Sequence, residues 1–225
     1  MTGPAVIAMD NDKRTRIIET IKANRDKFLR YNNIKTANLY SSITDQKTID
    51  LFEAIPFMLA YNLHGLPGYV QSDRMPQGLH GFHLGERGAA FLQAHFPSVT
   101  LSPQKPETPF IQMFALMGSG GTIAYTTHSD FDYWVCADEE GVDPESLRLF
   151  RGKCRVIENW IEEKFGIEVH FFLNDINKVR NNVFDDDSEE NFSGTSLGEL
   201  LKEEFFRSSI VVSGKTPFWW MVPAR

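Results

Sequence analysis

The sequence predicts an α+β fold, a small mixed β-sheet with packed helices, preceded by an N-terminal helical region. Three observations lead there. Apolar residues recur at helical spacing over residues 10–61. Short apolar runs bounded by glycine and proline follow after residue 109. Between those runs lies one strongly periodic helical segment. The change in texture predicts two regions, a mainly helical one over 1–100 and a core over 101–225.

Each element has its own signal. Ile17, Ile18, Ile21, Phe28 and Leu29, then Ile49, Leu51, Phe52, Ile55 and Leu59, step by three and four and predict helix. Pro67, Gly68, Pro76, Gly78, Gly81 and Gly85 mark an irregular connection over 63–85, and residues 86–95 read as a short helix closed by Pro97. Residues 110–117 are mostly apolar and suit a buried strand; residues 131–137 read as a second. Asp143-Pro144 pairs an N-cap residue with proline at the first helical position, and Leu147, Phe150, Cys154, Ile157 and Ile161 continue the helix to Gly166. Residues 167–173 alternate as a third strand. The acidic stretch 185–190 reads as a solvated loop. Ser196-Leu197-Gly198-Glu199 has the form of a capping box, predicting a helix to about Val212, stopped by Gly214, with a last strand over 216–222.

Composition narrows the function. The 225 residues carry 23 basic and 30 acidic side chains, a net charge of −7, which argues against a broad grip on nucleic acid or anionic lipid while allowing a local basic pocket. No apolar run is long enough to span a membrane, and residues 1–9 lack the basic start of a secretory signal, so the expected location is cytoplasmic. Cys136 and Cys154, the two cysteines, lie in apolar stretches without metal-ligand spacing and read as buried thiols.

The chemistry concentrates in Gly118-Ser119 and Asp130-Phe131-Asp132-Tyr133-Trp134. Side chains alternate along a strand, so Asp130, Asp132, Trp134 and Cys136 share one face, and Phe131, Tyr133 and Val135 share the other. Adjacent carboxylates repel, and a face bearing both calls for a cation, Mg²⁺ being the natural oxygen-seeking choice. A Gly-Ser turn after a buried strand offers backbone N–H groups and a hydroxyl to phosphate oxygens. Alone, either feature has a plain alternative, a tight turn or a solvated strand edge; together in this order they point to nucleotide chemistry.

Gly118-Ser119, a ten-residue gap and Asp130-x-Asp132 resemble the signature of the DNA polymerase β-like nucleotidyltransferase superfamily. That resemblance implies a third acid on a later strand. Ile167-Glu168-Val169 fits it, and Glu168 falls on the polar face with His170, whereas Asp175 continues the apolar phase of Val169, Phe171 and Leu173. A narrower resemblance covers more of the chain. Ser129-Asp130-Phe131-Asp132-Tyr133-Trp134-Val135-Cys136 is similar to the Ser-Asp-Leu-Asp-Ile-Trp-Val-Cys segment of class I, enterobacterial-type adenylate cyclases. Lys153-Cys154, Glu158-Asn159-Trp160, Gly166-Ile167-Glu168-Val169, Phe171-Phe172-Leu173, Glu204-Phe205-Phe206-Arg207, Ser213-Gly214-Lys215 and Trp220-Met221-Val222-Pro223 follow as further blocks in the family's order, and Leu66-Pro67-Gly68-Tyr69-Val70 resembles a segment upstream. The chain departs from the family at Gly120-Gly121-Thr122-Ile123, where members carry more serines, and in its acidic 185–190 stretch. Members also continue well beyond the Trp-Met-Val-Pro block, which leaves open a truncated, weakly active core or a short relative.

The resemblance implies a catalytic core that converts ATP to 3′,5′-cyclic AMP and pyrophosphate. Asp130, Asp132 and Glu168 hold two Mg²⁺ (or Mn²⁺) ions, and Gly118 and Ser119 receive the β- and γ-phosphates. Arg207 and Lys215 are candidates for neutralising the leaving pyrophosphate, and Trp134 for stacking on the base or ribose. Their plain alternatives are pairing of Arg207 with Glu203 or Glu204, a solvated Lys215 in a turn, and core packing of Trp134. Two other functions use the same residues: adenylyl transfer to a separate acceptor, and an idle nucleotide- or partner-binding module. The N-terminal helices fit packing on the core, a dimer contact or docking of a regulatory partner equally well, so the oligomeric state stays open.

Overall fold

The computed structural model describes residues 10–118, 126, 129–180, 203–205 and 207–217. Among them lie five helices, α1 (Asn11–Ser42), α2 (Gln46–Ala60), α3 (Glu86–His95), α4 (Pro144–Phe165) and α5 (Ile176–Arg180), further helical residues at 203–205 and 207–208, and four strands, β1 (Ile111–Met117), β2 (Phe131–Ala137), β3 (Val169–Asp175) and β4 (Ile210–Gly214). The expected α+β architecture is present, with an N-terminal helical region ahead of a small mixed sheet. The chain divides into two compact units; among the described residues one comprises 10–34 and 216–217, and the other 35–215. Residues 11–34 form the first part of α1, mostly exposed, with Phe28 and Asn32 buried.

The second unit carries the sheet, in the order β3-β2-β1-β4. β1 runs antiparallel to β2 and to β4, and β2 runs parallel to β3 across the β2–α4–β3 crossover. β1 is buried along its whole length and β2 nearly so, as expected for central strands covered on both faces. On one face Phe114 stacks on Tyr133 at 4.6 Å, and Phe52 of α2 meets Phe131 edge-on at 4.3 Å. Phe150 of α4 packs on Phe110 at 5.0 Å. On the other, Trp134 lies 5.3 Å from Phe205.

α2 begins at Asp45, whose carboxylate accepts from the Lys47 and Thr48 amides, and stays helical through Pro56 because nearly every side chain from Thr48 to Ala60 is buried. α4 starts and stops where its sequence signals say. The Asp143 carboxylate accepts from the Ser146 amide at 3.1 Å, Pro144 occupies the first turn, and Gly166 closes the helix in the left-handed region at φ +65°. α2 and α4 are tied by a buried amino group: Lys153, 1% exposed, donates to the Leu59 carbonyl at 3.1 Å and the Tyr61 carbonyl at 2.6 Å. Those are carbonyls at the end of α2, where orphan acceptors and the helix dipole favour a donor.

Two expectations change. The third strand begins at Val169 rather than Ile167, because pairing with β2 starts at Phe131↔Val169. The helix expected to reach Val212 ends earlier. Residues 203–205 and 207–208 are helical, but Ile210–Gly214 is strand β4, and residues 215–217 have no regular structure. Ile210, Val211 and Val212 are β-branched, and the open edge of β1 supplies backbone partners that a helix end lacks. The capping box at 196–199 and most of the strand expected over 216–222 lie outside the described residues.

Candidate active site at the adjoining ends of β1, β2 and β3

Strand directions bring three chain segments to one end of the sheet. β1 leaves it at Met117, β2 enters it opposite at Asp132, and β3 enters beside β2 with His170 level with Asp132. The Phe131 amide donates to the Glu168 carbonyl at 3.0 Å, which locks the start of β3 to the start of β2. Asp130 and Glu168 each stand one residue before their strand, exposed, where side chains reach past the sheet edge.

One oxygen each from Asp130 and Glu168 and one His170 ring nitrogen lie within 4.8 Å of one another. His170 Nε2 is 3.2 Å from Glu168 Oε1. Asp132 is half-buried, and burial first, then the charges of Asp130, Glu204 and Glu168, push its carboxyl above the usual carboxylate range against the opposing pull of His170. Such crowding disfavours the charged carboxylate, and a cation placed among these acids would relieve it. The donor set, carboxylate oxygens with one imidazole at a solvent-facing edge, suits a divalent ion.

Gly118 turns the chain away from β1 in the left-handed region at φ +69°, and a Cβ there would sit 3.6 Å from Asp132 Oδ2. Gly118 therefore lies against the Asp132 carboxylate. The Gly118 amide donates to Ser208 Oγ at 3.1 Å, and that hydroxyl donates to the Glu204 carbonyl at 2.9 Å. Lys35, buried, donates to the Arg207 carbonyl at 3.2 Å and the Ser209 carbonyl at 2.5 Å, capping the helical turn that bears Glu204 and Ser208.

Of the residues singled out from sequence, Gly118, Asp130, Asp132 and Glu168 come together. Ser119 lies outside the described residues. Trp134 shares the Asp132 face but is 6% exposed against Phe205, a core position that leaves no ring face for a base. The exposed Arg207 guanidinium pairs with Glu203 at 3.2 Å. Lys215 sits at the other end of the sheet, its amide donating to the Gln112 carbonyl. β1 separates it from Gly118 by about 20 Å, beyond the reach of a lysine side chain. Asp175 also falls at that far end, opposite Ala137, so among these acids position as well as parity favours Glu168.

Three residues near the acids had no assigned role: His170, Glu204 and Ser208. The polar phase of β3 marked His170, and the i, i+4 spacing of Glu204 and Ser208 was there to read, but only the fold brings that turn to Gly118. A cavity of about 240 Å³ lies elsewhere, between Tyr40, Phe52, Glu53, Phe82 and Val212, and includes none of Asp130, Asp132 and Glu168. Cys136 and Cys154 are fully buried, and burial pushes both thiols up to about 12, which fits structural thiols.

The family described as "Adenylate cyclase NT domain" matches residues 20–220. The chain belongs to that family. Adenylate cyclase of Escherichia coli (strain K12) is 31% identical over 176 residues, covering 77% of this chain and 20% of that protein. Adenylate cyclase of Proteus mirabilis is 31% identical over 212 residues, covering 92% of this chain and 24% of that protein. Adenylate cyclase of Haemophilus influenzae is 30% identical over 175 residues, covering 73% and 20%. The chain thus spans about a fifth to a quarter of the length of these relatives. No solved structure matches it. Among the described residues, no helix is long and apolar enough to cross a membrane.

Proposed function

We propose that the acidic end of this sheet is the ATP-cyclising site of an adenylate cyclase, of the DNA polymerase β-like nucleotidyltransferase type. The observation that carries this reading is the meeting of Asp130, Asp132, Glu168 and the Gly118 turn at one sheet end, in a chain of the adenylate cyclase NT domain family. Asp130, Asp132 and Glu168 would hold divalent cations, Mg²⁺ or Mn²⁺, which would supply positive charge to the triphosphate and acidify the ribose 3′-hydroxyl.

The chain's own residues then have distinct work. Gly118, anchored through Ser208, offers its backbone beside Asp132 to the β- and γ-phosphates, the role shared with Ser119 in the sequence pattern. Glu168, exposed and backed by His170, takes the proton of the 3′-hydroxyl. The 3′-oxygen forms a bond to the α-phosphorus, the bond from that phosphorus to the bridging oxygen breaks, and pyrophosphate departs in line with 3′,5′-cyclic AMP left behind. Pyrophosphate neutralisation does not fall to Lys215, which stands at the opposite end of β1. Arg207 can contribute only by leaving Glu203, an exposed pair of small worth.

Calorimetric titration of ATP tests the nucleotide-binding half of the reading. With Mg²⁺ present the parent chain binds ATP, and Asp130→Asn and Asp132→Asn lose the metal-dependent part of the affinity. Metal-independent binding of equal strength in all three proteins contradicts it.

A further inference from the structure

Resting on the reading of the acid cluster as a metal centre, we propose that His170 is itself a ligand. With Asp130 and Glu168 it forms a mixed carboxylate–imidazole site that takes a first-row transition-metal dication such as Mn²⁺ in preference to Mg²⁺.

The geometry that supports this is local and specific. His170 is level with Asp132 in the parallel β2–β3 register, so its side chain leaves the sheet on the face that carries the acids. Its ring is half-buried, which limits the orientations open to it. One nitrogen already points into the cluster, 3.2 Å from Glu168 Oε1. The three ligand atoms lie within 4.8 Å of one another. Around an octahedral ion with bonds of about 2.1 Å, neighbouring ligands stand roughly 3 Å apart and opposite ones roughly 4.2 Å. Closing to those spacings asks for small rotations from two exposed carboxylates, Asp130 and Glu168, with the imidazole left in place.

Asp132 is set apart from this group. Its Oδ2 lies under the Gly118 turn, 3.6 Å from where a Cβ would be. Two carboxylates and a neutral imidazole carry a charge of −2, which matches one dication, and leave Asp132, beside Gly118, for the second ion. The choice of metal follows from the nitrogen. Mg²⁺ takes oxygen ligands and gives up water reluctantly, whereas imidazole suits the later transition ions, and Mn²⁺, lowest in their affinity order, is the one that also favours carboxylate and water ligands.

Manganese titration of the full chain, followed by continuous-wave and pulsed electron paramagnetic resonance without nucleotide, tests the proposal. The parent shows a ¹⁴N coupling to bound Mn²⁺. His170→Gln, checked for native circular dichroism, loses that coupling and binds Mn²⁺ at least about tenfold more weakly. Mg²⁺ affinity, measured by competition, changes far less. Absence of nitrogen coupling in Mn²⁺-saturated parent overturns the proposal whatever the variant does, and so does unchanged Mn²⁺ affinity in His170→Gln. Cyclic AMP formation assayed alongside separates the two readings. Cyclic AMP without nitrogen coupling overturns the ligand role of His170 and leaves the cyclase reading standing. Nitrogen coupling without cyclic AMP supports the ligand role and counts against the cyclase reading.

Discussion

Replacing Lys153 by methionine removes the amino group that joins α4 to the end of α2, and its signature is a slope in stability against pH. Lys153 is 1% exposed, and burial lowers its ammonium to about 7 from the usual 10.5. Below pH 7 the group is charged in both folded and unfolded chains. Between pH 7 and 10.5 the folded chain holds a neutral amine while the unfolded chain stays protonated, so unfolding takes up a proton and folding stability rises with pH. Each unit of pH in that window is worth about 1.4 kcal/mol, so this one group adds about 2 kcal/mol between pH 6 and 8.5. The neutral amine still has donors for the Leu59 and Tyr61 carbonyls. Lys35, lowered to about 8, adds a rise of the same sign that begins higher, and it is common to both proteins. The two thiols, raised to about 12, oppose the trend once unfolded thiols begin to ionise at about pH 8.5, and they too are common to both proteins. Urea unfolding at pH 6, 7.5 and 8.5 reads the difference directly. The parent gains about 2 kcal/mol more than Lys153→Met across the series. Parallel slopes in the two proteins refute the assignment of a neutral buried amine at pH 8.5.

Two further outcomes follow from the same packing and from the site. Gly68 stands at φ +72° with Lys153 beneath it, and a Cβ would lie 2.7 Å from Lys153 Cγ and 2.9 Å from its carbonyl oxygen. Gly68→Ala therefore costs at least about 2 kcal/mol in urea unfolding, from left-handed backbone and clash together; a loss below about 0.5 kcal/mol contradicts that contact. Ser208→Ala removes the acceptor of the Gly118 amide, costs about 1 kcal/mol of stability and weakens Mg²⁺-dependent ATP binding. Unchanged ATP affinity in a folded Ser208→Ala chain shows that the anchored turn does not position nucleotide.

Local chemistry made much of this legible in the sequence. Asp143, Pro144 and Gly166 are terminus signals complete within a few residues, and α4 starts and ends on them. The shared face of Asp130 and Asp132 follows from strand parity. What failed depended on partners distant in the chain. Ile210-Val211-Val212 is a short apolar run that helical and strand periods both accommodate, and only the open edge of β1 decides for strand. Lys215 followed a glycine in a plausible turn, but which sheet end that turn occupies depends on β4 running antiparallel to β1. Trp134 had the right parity for the site and the wrong depth, because Phe205 covers it. Ser208 and Glu204 reach the site by the same tertiary route.

Product analysis after incubating the chain with ATP and Mg²⁺ or Mn²⁺, beside Asp132→Asn, tests the central claim most directly. The account predicts cyclic AMP and pyrophosphate in equal amounts from the parent, with the rate reduced by about 100-fold or more in the variant. Cyclic AMP at equal rates from both proteins, or AMP transferred to an acceptor in its place, contradicts it.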